Sequence, residues 1–198
     1  MDRRNALKAV AAAPFMMAAV TSAEAETASM KVLGVLESAD QTKPFVPKFF
    51  TAHEYATVRM LVDMIIPRDD KSGSATDAGV PQFMDFIAID QPNRQVPLRG
   101  GLAWMDAESR KRFGKTFILA TDAQRRQILD DIAWPKKAKK EHLHGVTFFT
   151  SFRDFTASGF YSSRIGIADL RYIGNTVNMN WQGCSTAANA HLGVTKRG

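Results

Sequence analysis

A single cysteine, Cys184, in a chain of 198 residues rules out any disulfide within the chain. An unpaired cysteine of this kind is either a free buried thiol or half of a bond to another chain. Cofactor signatures are missing too. No Gly-x-Gly-x-x-Gly follows a strand-like run, which leaves a Rossmann-type dinucleotide site unsupported. No Cys-x-x-Cys-His occurs, which excludes a c-type haem, and no Gly-x-Ser-x-Gly elbow offers an activated serine. Alternating apolar and polar stretches of useful length are absent, as are internal repeats. The early apolar stretch, Ala9 to Val20, is interrupted by Pro14 and falls short of the ~20 residues a membrane span needs. Basic residues outnumber acidic ones by only 26 to 20, no signature of nucleic-acid binding.

What is present begins at the N-terminus. Met1 to Lys8 is basic, Ala9 to Val20 is apolar, and Thr21-Ser-Ala-Glu-Ala25 supplies an Ala-x-Ala site at Ala23 and Ala25. Together they predict a signal peptide over residues 1–25, cleaved after Ala25. The adjacent Arg3 and Arg4, followed by Leu7 and Lys8, give it the form of a twin-arginine signal. Such signals export cargo that is already folded, and the expected location is the periplasm. Cleavage would leave 173 of the 198 residues and lower the net charge from +6 to +5, because the signal holds three cations and two acids. That length fits one domain with a sizeable core.

Residues 26–48 read as an extended leader that lies on a surface, the chain's own or a partner's. A helical domain is expected over 49–160. Thr51 and Glu54 form a capping box ahead of Tyr55, Val58, Leu61, Val62, Ile65 and Ile66, a stripe at helical spacing that Pro67 ends. Pro81 is placed to open a second helix with Phe83, Phe86 and Ile87 as core candidates. Gln91 to Pro97 reads as a break, and a third helix is expected from Leu98 to Arg112, with Gly100-Gly101 permitting close packing. Thr121 and Gln124 form a second capping box before Ile128, Leu129 and Ile132, stopped by Pro135. Val146, Phe149, Phe152 and Phe155 form an aromatic stripe ending near Gly159. The tail, 161–198, reads as irregular and packs on the body or on a partner. The class is mostly α, a single helical domain with a loop-rich C-terminal tail.

Chemistry is sparse along this body. Asp69, Asp70 and Asp77 lack the alternating spacing of a calcium loop and read as a solvated turn. His142 and His144 beside Glu141 form the one candidate metal group, opposed by the neighbouring Lys136, Lys137, Lys139 and Lys140. His53 and His191 stand isolated. The lysine run reads as solvated surface or as a docking patch for an acidic partner. No catalytic, cofactor-binding or metal-binding residue is assigned. In the tail, Gly174-Asn175 and Gly183 tolerate positive φ and shape an irregular surface, while Tyr172 and Trp181 offer rigid aromatic area of the kind enriched at interface hot spots. Tyr172, Asn175, Trp181 and Cys184 are therefore the candidate partner interface, and Trp181 three residues before Cys184 favours an intermolecular disulfide over a buried thiol.

An ordered set of short motifs resembles the small subunit of membrane-associated flavin sugar dehydrogenases, gluconate 2-dehydrogenase subunit 3. The set is Asp63-Met-Ile-Ile-Pro67, Asp69-Asp70, Ala78-Gly-Val-Pro81, Gln127-Ile-Leu129, Phe148-Phe149, Gly159-Phe-Tyr161, Gly174-Asn175 and Trp181-x-Gly183. The stretch Ile165 to Asn175 is closer to the branch that accompanies glucose-methanol-choline type sugar or glycoside oxidoreductases. The resemblance implies a chain without flavin, metal or catalytic base. A large partner binds FAD and oxidises a sugar hydroxyl, and a cytochrome c accepts the electrons. The small subunit assists folding of the large one and carries it through the twin-arginine translocase, with membrane association only through partners. It also implies that Cys184 can tie the two chains. Two further readings stand beside it: a free-standing periplasmic interaction module, and a metal-dependent enzyme built on His142, His144 and Glu141.

Overall fold

Five helices and three tight turns account for the body, and the fifth helix is the axis on which the others are hung. The computed structural model describes residues 45–193 apart from 175, 176 and 178, together with 27, 30 and 31. The elements are α1 (Ala52–Ile65), α2 (Val80–Asp90), α3 (Gln95–Phe113), α4 (Asp122–Ala133), α5 (Leu143–Tyr161), α6 (Arg164–Asp169) and α7 (Thr186–His191). Single 3-10 turns lie at Pro92–Arg94, Phe117–Leu119 and Lys140–His142. No strand occurs among the described residues, and no helix among them is long and apolar enough to cross a membrane. The mostly α class holds.

Local chemistry sets the helix starts. Both expected capping boxes form: the Glu54 amide donates to Thr51 and the Thr51 amide to the Glu54 carboxylate, and Thr121 and Gln124 do the same at α4. Pro81 occupies the first turn of α2, where its missing N–H costs nothing. The third helix begins three residues earlier than Leu98, because Pro97 also falls in a first turn and so does not interrupt it. The tail, expected to be irregular, contains α6 and α7, each opened by a serine hydroxyl (Ser163 and Ser185) accepting an amide. Six residues with a serine cap carry too short a periodic pattern to read in advance.

α5 packs against α1, α2, α3, α4 and α6. The expected stripe Val146, Phe149, Phe152 and Phe155 is buried, and Phe148 and Phe160 are buried as well. A helix covered on most sides needs apolar groups beyond one stripe. Each buried phenylalanine contributes about 1.5–3 kcal/mol of transfer free energy. Phe83 and Ile87 join this core, whereas Phe86 is only partly buried and lies under the Lys31 ammonium. Lys31 also sits 4.0 Å from Asp90, so this part of the leader meets α2.

Gly101 and Gly145 explain how closely α3 and α5 approach. A Cβ at Gly101 would lie 1.8 Å from Phe148 Cδ2, and one at Gly145 would lie 2.3 Å from the Trp104 ring. Neither helix tolerates a side chain there. Gly100, expected to share this role, does not: its added Cβ meets nothing within 4 Å. Helical geometry points the two successive residues about 100° apart, so only the Gly101 direction runs into Phe148.

Candidate functional site

Several carboxylates of the body are bonded to distant parts of their own chain. Asp85, 2% exposed, accepts the Lys48, Phe49 and Phe50 amides at 2.8, 3.0 and 3.0 Å and so fastens the entering chain to α2. Asp106 accepts the Phe117 amide at 2.9 Å and meets His53 Nε2 at 2.6 Å, with Arg110 at 3.4 Å. His53, isolated in the sequence, is therefore paired across 53 positions. The acidic loop behaves similarly. Backbone N–H groups of Ser72 and Lys71 hold the Asp69 carboxyl below its ordinary value, and the Ser74 amide followed by Arg68 does the same for Asp77. These carboxylates cap turns. Tyr55 is pushed up to about 12, chiefly because its phenolate would lose water on burial.

The structure keeps Glu141 Oε1 3.7 Å from His142 Nε2 but does not bring His144 to the same place. His142 is 5% exposed, and the Arg112 guanidinium donates to its Nε2 at 3.1 Å. Arg112 also donates to Glu108 at 2.5 Å and Asp131 at 2.6 Å. Burial draws its pKa down, but these two carboxylates more than offset that and hold it above the ordinary arginine value. An imidazole nitrogen that accepts from a guanidinium has no lone pair left for a metal, and the adjacent positive charge repels one. His144 lies instead on the exposed side of α5. Among the described residues no group of three or more His, Cys, Asp or Glu is placed to hold a metal ion.

The tail differs from the body. Arg171 with φ 51° and Gly174 with φ 76° turn the chain beyond α6, and Gly183 adopts φ 82°, as its glycine allowed one to expect. Leu170, Tyr172, Ile173, Val177, Met179 and Trp181 are exposed, Trp181 to 67%. No residue of α7 is buried. Cys184 is exposed, which overturns the alternative of a buried thiol. Tyr172, Trp181 and Cys184 thus share one solvent-facing segment. Asn175, together with Arg3, Arg4, Ala23 and Ala25 of the predicted signal, lies outside the described residues.

A second exposed feature gave no signal in the sequence. Between α3 and α5 runs an apolar groove lined by Pro97, Gly100, Gly101, Trp104, His144, Thr147 and Phe148, enclosing about 130 Å³. Exposed Val96 and Leu143 stand beside its lining in the chain, and the exposed lysine run ends four residues before His144.

No curated protein and no solved structure matches this chain. A family model does: residues 52–182 of 198 match Gluconate 2-dehydrogenase subunit 3. The match takes in the helical body, the groove, Tyr172 and Trp181, and stops two residues short of Cys184. On a match spanning well over half its length, the chain belongs to the gluconate 2-dehydrogenase subunit 3 family.

Proposed function

We propose that this chain is the non-catalytic small subunit of a periplasmic FAD-dependent sugar dehydrogenase of the gluconate, glucose or glycoside type. It assists the folding of a large glucose-methanol-choline type flavoprotein, stabilises it, and carries it through the twin-arginine translocase. FAD and the catalytic groups belong to that partner, and a cytochrome c takes the electrons. The observation that supports this most is the exposed apolar tail on a chain of the subunit 3 family: Tyr172, Met179 and Trp181 present area that their own fold leaves uncovered. Exposed apolar segments of this kind mark interaction sites. Cys184 in the same segment is accessible for a bond to a partner cysteine.

The export role has a direct test. Arg3→Lys with Arg4→Lys should leave both chains in the cytoplasm, read by immunoblotting of periplasmic and cytoplasmic fractions. A flavoprotein that still reaches the periplasm would remove the carrier role.

A further inference from the structure

Gly100 lies inside α3, where glycine costs about 1 kcal/mol relative to alanine. Its neighbour Gly101 has a steric reason to be glycine, and Gly100 has none, since an added Cβ meets nothing within 4 Å. Gly100 is part of the lining of the α3–α5 groove, and the missing side chain leaves open space there. The groove holds about 130 Å³, close to the ~150 Å³ of apolar cavities that admit a benzene-sized group. It is concave and walled by Trp104 and Phe148, a shape for one inserted side chain.

A run of positive charge ends four residues before the groove residue His144 in the chain. Lys136, Lys137, Lys139 and Lys140 are all exposed, and none is paired with an acid among the described residues. The run is bracketed by two exposed apolar residues, Trp134 and Leu143. We infer that this groove is a docking slot for one aliphatic or aromatic side chain carried on an acidic stretch of the flavoprotein partner, with Gly100 keeping the slot open. The inference rests on the proposed function for the identity of the partner, and it adds a second contact face to the tail. A flat anionic lipid surface would satisfy the lysines but leave the pit between the helices unused.

The test isolates the complex from the native host through a tag on this chain, in the wild type, Gly100→Ala, Gly100→Leu and Lys136/137/139/140→Gln forms. Bound flavin per chain, the salt concentration that dissociates the complex, and the melting temperature of the free chain are read for each. Gly100→Leu should reduce bound flavoprotein at least about tenfold with an unchanged or raised melting temperature, because the leucine fills the slot without touching the core. The alanine form should lose less. The glutamine form should dissociate at lower salt, since exposed charge pairs are screened. A wild type that brings flavoprotein, with a Gly100→Leu form that brings as much, overturns the slot alone. A wild type that brings none overturns the functional reading and the slot with it. Binding of the wild type to phosphatidylglycerol vesicles that the glutamine form loses, with its flavoprotein binding intact, would assign the lysines to a membrane and overturn the acidic-partner inference.

Discussion

The body and the tail use the same kinds of residue in opposite ways. Between Phe49 and Phe160, most phenylalanine rings are buried in the core around α5, and buried carboxylates such as Asp85 and Asp106 accept backbone amides from distant segments. From Leu170 onward, leucine, tyrosine, isoleucine, methionine and tryptophan face solvent, and α7 buries nothing. The body is stabilised by its own sequence. The tail contributes little to that core and leaves its apolar area uncovered.

Breaking the body should therefore be costly. Asp85→Ala would leave three buried or partly buried amides without an acceptor, and a loss of roughly 3 kcal/mol or more is expected, measured by urea unfolding. An unchanged midpoint would show that the entering chain is not fastened there. The paired glycines sharpen the contrast within one helix. Gly101→Ala forces a Cβ against Phe148 and should cost about 1–3 kcal/mol, whereas Gly100→Ala should add up to about 1 kcal/mol, both read from thermal melting. Equal effects would mean that the α3–α5 contact is looser than described.

The tail should respond in the other direction. Trp181→Ala is expected to shift stability by no more than about 0.5 kcal/mol while weakening flavoprotein binding about tenfold or more, checked by melting and by titration of the isolated partner. A destabilised fold with intact binding would move Trp181 from the interface to the core. The smallest effect is at the acidic loop. The folded-state value of Asp77 is depressed, so its contribution is present above the ordinary carboxylate value of about 3.9 and is lost as pH falls through the lower folded value. Exchange of the Ser74 amide should stay slow from neutral pH down to about that ordinary value and accelerate only below it.

Much of this was legible in the sequence because it is local. Capping boxes span four residues, and the α1 and α5 stripes repeat at helical spacing. What could not be read is pairing over distance. Nothing near Asp85 or His53 in the chain announces their partners at Lys48, Phe49, Phe50 and Asp106, since a carboxylate that binds amides across a core looks like any surface acid. The two adjacent glycines looked equivalent because sequence carries no direction of facing. His142, a candidate ligand already opposed by the neighbouring lysines in the sequence, has Arg112 set against its Nε2 by the fold. Tyr172, Trp181 and Cys184, singled out by their type and company, are exposed, and the groove was missed because its parts come from two helices.

The central claim is that this chain works on a flavoprotein through its uncovered surfaces. Isolating it from the periplasm of its own host under native, non-reducing conditions and recording the visible spectrum tests that claim directly. A yellow complex with a large chain is the expected result, and release of that chain only with reductant would place Cys184 in the bond. A colourless chain that comes alone would contradict the account.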